Sequence, residues 1–209
     1  GHVHFAVHED NMTDVDVMLQ GNPEFYSDHF LYKRNKLAHS TLIRSVTWMF
    51  WHLASGATVH HDADHLEFDQ YRELFVRLCK VLQPVFKLDA AYEAALVDWQ
   101  HDSKQFYLDL HGQTVMTGEA FHRSIFELVD TWTNVVDEEA YVNWLIALLW
   151  AVCEDSSAEN EHYNLVLRPL DEVRDCLDID GTLHVPPRYW DERDHLMDIA
   201  LGIQERREF

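Results

Sequence analysis

Glycine and proline are scarce in this 209-residue chain, at seven and five residues, and cysteine is scarcer still at three. So few turn formers do not suit an all-β domain with many tight reversals, which leaves helix as the default. Cys79, Cys153 and Cys176 are widely spaced and form no CxxC pair, so no disulfide framework is expected. Cys79 and Cys153 fall within apolar helical stretches and are read as small core hydrophobes. That usage suits a reducing, cytoplasmic compartment. Positive charge is also short: 16 Lys and Arg face 37 Asp and Glu, for a net charge of -21. A surface this acidic repels phosphate backbones and anionic lipid, which disfavours nucleic acid and bare membrane as partners. Basic proteins and divalent cations remain open, and the acidity also serves solubility. The longest apolar run, Trp144 to Val152, is too short to span a bilayer and predicts a buried helix, not a membrane insertion. Gly1-His2-Val3-His4 has neither a basic nor an apolar leader region. The missing initiator methionine is expected of a piece of a longer protein. Walker loops, dinucleotide fingerprints and nucleophile elbows are absent from the sequence.

What is present is apolar and helical. Hydrophobic residues make up 47% and aromatics 12%, enough for a continuous core at this length. Residues 1–23 are polar, patternless and closed by Gly21-Asn22-Pro23, which predicts a flexible N-terminal arm. Residues 24–153 predict the helical core. Phe25 to Leu53 reads as two helical pieces, ended by Ala54-Ser55-Gly56 with Gly56 just past the helix. Phe68, Tyr71, Leu74, Phe75, Leu78, Val81 and Leu82 recur at helical spacing and stop before Pro84. A helix from Asp89 to Trp99 follows, with Asp89 a candidate N-cap. Thr117 to Ala120 opens another, whose face is Phe121, Ile125, Phe126, Leu128, Val129 and Trp132. Asp137 then caps a helix from Tyr141 to Val152. Phe121, Phe126, Tyr141 and Leu145 are expected to be buried on facing helices. Cys153 to Asn160 is a linker. Residues 161–209 predict an accessory subdomain, with a short helix near Pro169–Leu177 and one long amphipathic helix from Trp190 to about Arg207.

Three hydrophobe–aromatic pairs share a five-residue spacing: Leu66 with Tyr71, Met116 with Phe121, and Val136 with Tyr141. This spacing resembles the EF-hand family, where a β-forming eighth loop residue pairs with the partner loop and an aromatic follows in the exiting helix. Gly112 to Phe121 and Val136 to Leu145 look like second halves of two such units. Ser124 to Thr133 is similar to a segment of EF-hand-like proteins of cilia and flagella. The resemblance covers roughly Asp62 to Val152 and implies a ciliary or flagellar cytoskeletal setting. Calcium is not implied, because the family needs oxygen ligands at loop positions one, three, five and twelve, with glycine at six. Counted back from Met116, those ligand positions hold Asp109, His111, Gln113 and Ala120, with Thr114 in place of glycine. Counted back from Leu66, position one is Val59, and the loop before Val136 is too short to wrap an ion.

Two clusters raise enzymatic alternatives. His60, His61, Asp62, Asp64 and His65 are imidazoles and carboxylates of the kind that hold zinc or nickel. With His101-Asp102 they resemble the pattern of helical metal-dependent phosphohydrolases, although Gly56 and the following helix place them on a loop. Asp178-Ile179-Asp180-Gly181-Thr182-Leu183 matches the signature of haloacid-dehalogenase-type phosphotransferases. Only about thirty residues follow it, too few for the α/β sheet that chemistry needs, so a hairpin turn is expected. It also fits loop positions three, five, six and eight of an EF-hand, with Cys176 and Pro187 at the ligand positions one and twelve.

Seven tryptophans are more than most cores of this size need. Trp132, Trp144, Trp150 and Trp190 are the candidate protein-binding residues, since tryptophan is enriched at interfaces. The expected fold is all-α, with EF-hand-like helix pairs, an N-terminal helical hairpin and a small C-terminal helical appendage. The expected function is a non-enzymatic scaffold or adaptor without cofactor or bound metal. Its partner would be a basic amphipathic helix or a cytoskeletal protein. The helix from Trp190, with Leu196, Ile199, Ala200 and Ile203, is a rival occupant in cis. The alternative function is a metal-dependent hydrolase centred on His60–His65.

Overall fold

The computed structural model describes residues 28–56, 63–102, 114–156, 164–178 and 182–206, and the described fold is all-α. The predicted arm at 1–23 lies outside these residues. Helix α1 spans Asp28–Ala38 and α2 spans Thr41–Ser55. The Ser40 hydroxyl starts α2 by accepting the Ile43 N–H at 3.2 Å. Gly56 ends it at φ 62°, a left-handed conformation that a side chain would strain.

Two helical hairpins follow in register. Helices α3 (Phe68–Leu82) and α4 (Leu88–Asp102) recur fifty residues later as α5 (Gly118–Trp132) and α6 (Glu138–Val152). Each of these helices has 15 residues, and each pair is joined by a five-residue connector. The first stops as Gln83 turns extended ahead of Pro84, which disfavours helix in the residue before it. Thr117 and Asp137 cap α5 and α6 by accepting the N–H groups of Ala120 and Ala140 at 3.3 and 3.1 Å. Helix α4 begins one residue earlier than expected. Its first bond runs from Ala91 N–H to Lys87 O at 3.0 Å, which puts Asp89 in the first turn rather than at the cap.

Leu66 and Met116 precede α3 and α5, again fifty residues apart. They form an antiparallel bridge, exchanging both backbone hydrogen bonds at 2.8 and 2.9 Å. The stretch preceding α3 is thus tied to its counterpart before α5. Val136 takes no such place. It lies in the α5–α6 connector, so the third expected pair arises from a helix entry and not from a bridging loop.

Helix α6 is enclosed by α2, α3, α5 and α7 (Arg188–Arg206), and its residues from Trp144 to Val152 are all buried. Phe121 and Phe126 on α5 and Tyr141 and Leu145 on α6 are buried as expected. Strand β1 (Cys153–Asp155) continues directly from α6 and pairs antiparallel with β2 (Leu165–Leu167). The returning chain satisfies two carbonyls at the end of α6: Arg168 N–H donates to Val152 O at 2.9 Å, and Arg174 N–H to Ala151 O at 3.0 Å. That tether explains why the short helix expected near Pro169–Leu177 shrinks to one 3-10 turn at Leu170–Glu172. Leu177 and Leu183 bridge antiparallel, as a hairpin requires, while the turn at 179–181 lies outside the described residues.

Helix α7 begins two residues before Trp190. It lies across α2 and α6 and buries Leu196, Ile199, Ala200 and Ile203 in the common core. Gln204 donates to the Thr41 hydroxyl at 2.7 Å, and Arg193 to the Asn143 side-chain carbonyl at 2.6 Å. The C-terminal segment and the helices before it therefore share one core.

Candidate functional site

The four candidate tryptophans do not converge on one surface. Trp144 and Trp150 are 3% and 2% exposed, so both are core residues of α6. Trp132 is partly buried at the end of α5, and Trp190 is 57% exposed in the first turn of α7. Trp150 is anchored on every side that matters. Its indole N–H donates to Glu192 at 2.7 Å, and the Arg174 guanidinium sits 4.4 Å from its ring centre. Tyr189 meets the ring edge-on at 5.4 Å. Of the histidine cluster, His60, His61 and Asp62 lie outside the described residues, Asp64 is exposed and His65 is partly buried. Among the described residues, no three His, Cys, Asp or Glu side chains gather to hold a metal ion.

Three spaces open among the described residues. Beside Trp150 lies a cleft of about 530 Å³ between β1, the chain after β2, and the start of α7. In its lining Arg174 pairs with Glu192 at 2.6 Å, Arg168 pairs with Glu154 at 3.3 Å, His195 hydrogen-bonds Asp155 at 2.8 Å, and Asp191 adds an exposed carboxylate. Burial raises the Glu192 carboxyl, but its hydrogen bonds from Arg174 and Trp150 outweigh this and hold it below the usual range. Cys153 in the wall is no nucleophile, because burial pushes its thiol up to about 12. The Arg168 and His195 contacts fasten the C-terminal segment to β1, and the Arg174–Glu192 pair joins two parts of that segment. A second cleft, of about 520 Å³, lies between the end of α2, the start of α3 and β2. The third space, between α3 and α5, is nearly closed. Tyr71, Leu74, Phe75, Phe121 and Ile125 leave a cavity of about 10 Å³, too small for more than one water.

Exposed apolar side chains are spread over several elements, Tyr32, Val85, Val135 and Trp190 among them, and on α4 they form a row. This helix packs on α3 through Ala91, Ala95 and Trp99, all buried. The small alanines let the two backbones approach, and α4 is left at the edge of the molecule. Leu88, Tyr92 and Leu96, spaced four apart on the shoulder of that packed face, are 38%, 40% and 44% exposed. Asp89 and Glu93 border them on the solvent side. Arg72 of α3 sits 5.4 Å from the Tyr92 ring centre. Sequence reading gave α4 bounds and a cap but no face, so the row went unremarked. The signal was there: α4 carries apolar residues around most of its circumference, which a helix packed on one side does not need. Comparison with known proteins adds no relative: no family model, curated protein or solved structure matches this chain.

Proposed function

We propose that this chain is a non-enzymatic protein-binding domain, an EF-hand-like helix pair that works without calcium and offers α4 as a docking face. The observation that carries the reading is the exposed row of Leu88, Tyr92 and Leu96 on a molecule of net charge -21. Contiguous apolar surface left open on a polar exterior marks a place that another molecule covers. The EF-hand-like part draws support from the bridge between Leu66 and Met116, which joins α2–α3 to α4–α5 where paired EF-hands join their loops. Calcium has no role in this reading, since Asp109, His111, Gln113 and Ala120 are a poor ligand set and Thr114 stands where glycine is required. A flagellar or ciliary cytoskeletal partner rests on the resemblance of Ser124 to Thr133 alone.

A photo-reactive residue placed at Tyr92 tests the reading in extract, with one at the exposed Leu201 of α7 as control. One protein should cross-link stoichiometrically at position 92 and not at 201, equally with calcium or chelator. Millimolar calcium should also leave the melting temperature unchanged, because only a ligand that prefers the folded state raises it. Equal labelling at both positions, or none, would remove α4 as the docking face. Stoichiometric zinc, manganese or iron together with phosphoester turnover would replace the reading with the hydrolase centred on His60–His65.

A further inference from the structure

We infer that the partner of the α4 face is a basic amphipathic helix, held by Leu88, Tyr92 and Leu96 and selected by Asp89 and Glu93; this rests on the reading of α4 as a docking face. The internal repeat shows what such a face looks like when covered. Val142 and Ile146 of α6 stand fifty residues after Tyr92 and Leu96, and they are 3% and 0% exposed inside the cage of neighbouring helices. The positions of Tyr92 and Leu96 are thus enclosed in one copy and open in the other, while Leu88 is matched by the exposed Glu138. The open row from Leu88 to Leu96 runs about 12 Å at 1.5 Å per residue, the length of a little over two helical turns. A helix with apolar residues four apart matches it in length and spacing.

Charge decides which helix. On the helical wheel Asp89 and Glu93 fall next to Leu96 on the solvent side, and both are exposed. Lys87 is the sole lysine or arginine between residues 83 and 102, and Arg72, 5.4 Å from the Tyr92 ring centre, is paired with Asp69 and Glu73 of its own helix. A second copy of this chain would bring two such acidic rows together under a charge of -21 each. Residues 1–27 are no better suited, with Glu9, Asp10, Asp14, Asp16 and Glu24 and no lysine or arginine. Lysines or arginines flanking the apolar anchors of a partner helix would meet Asp89 and Glu93 directly. The site differs from the space between α3 and α5, which these helices fill with their own side chains.

The probe is a fluorescein-labelled 14-residue peptide of leucine and lysine in amphipathic helical order, with a glutamate-for-lysine analogue as counter-probe. Fluorescence anisotropy should show saturable binding of the lysine peptide that weakens with salt, and none of the analogue. Leu96→Glu should weaken binding at least tenfold, and the pair Asp89→Asn with Glu93→Gln at least threefold. The pair Asp191→Asn with Asp198→Asn on α7, a helix that packs on α2 and α6, removes the same charge and should change nothing. All these side chains are exposed, so the variants should fold, which circular dichroism checks. Equal weakening by the α7 pair, or no loss with Leu96→Glu, would overturn the inference by reducing it to unspecific attraction. Failure of the lysine peptide to bind at all would also overturn it. If position 92 still cross-linked a partner lacking a basic helix, the docking face would stand and only the partner class would fall.

Discussion

His122 on α5 is a buried histidine with both ring nitrogens engaged. Its Nε2 donates to the Ala38 carbonyl at 2.9 Å, and its Nδ1 lies 2.7 Å from the Thr47 hydroxyl, whose single proton is shared between that nitrogen and the Arg44 carbonyl at 2.9 Å. The three groups tie α5 to α2 and to the end of α1. Desolvation by burial, aided by the positive charge of Arg44, holds the imidazole below its ordinary value of 6.5, against the pull of its Ala38 hydrogen bond and of Glu119. The unfolded chain therefore binds a proton at higher pH than the folded one. The contribution of neutral His122 is complete above about pH 6.5 and is lost as the pH falls through the lower folded value. Denaturation at a series of pH values should show a steeper loss below pH 6.5 in the wild type than in His122→Gln. Parallel curves would mean that the ring titrates alike in both states. The thiols make a companion case. Cys79, Cys153 and Cys176 are buried, and burial pushes each up to about 12. A thiol-reactive disulfide reagent should find no fast-reacting cysteine in the native protein and three after unfolding. One rapid equivalent would show an open route to a thiol.

At the scale of elements, α5 and α6 form the part of the core that periodicity marks best. Phe121 is 1% exposed and meets the Trp51 ring edge-on at 5.5 Å, while Phe126 and Tyr141 lie 5.8 Å apart. Phe121→Ala should cost roughly 3–5 kcal/mol in chemical denaturation, as large-to-small changes in packed cores do. A loss under about 1 kcal/mol would mean that the cavity collapses freely. Helix faces and caps of this kind were legible because the 3.6-residue period and capping chemistry are local. The fifty-residue repeat was not. Between 66–102 and 116–152 only Leu78/Leu128, Val85/Val135 and Ala90/Ala140 are identical, so the repeat survives in shape and not in letters. The spacing marked Leu66, Met116 and Val136 alike and did not say which would pair; Leu66 bridges Met116, whereas Val136 carries the spacing at a helix entry. Tryptophan misled for a related reason. Its size serves a core and an interface alike, and only the neighbours of Trp144 and Trp150 decide between them.

At the scale of the whole molecule, α7 is a wall of the common core. Leu196, Ile199, Ala200 and Ile203 are each at most 5% exposed, and their partners are α2 and α6. Burying one leucine or isoleucine contributes about 1.5–3 kcal/mol. Three of them approach the 5–15 kcal/mol by which whole domains are stable, before the entropy of ordering the helix is subtracted. Helix α7 also seals α6, the most apolar helix of the fold, so its departure would bring buried α6 side chains into contact with water. It should therefore open only when the core opens. Amide exchange under native conditions should give residues 196–203 nearly the same opening free energy as α6. Ile199→Ala should lower both together, by roughly 2–5 kcal/mol. If α7 exchanged far faster while α6 stayed protected, α7 would be a detachable arm. Helix α2 and α6 would then hold a second apolar face in reserve beside that of α4.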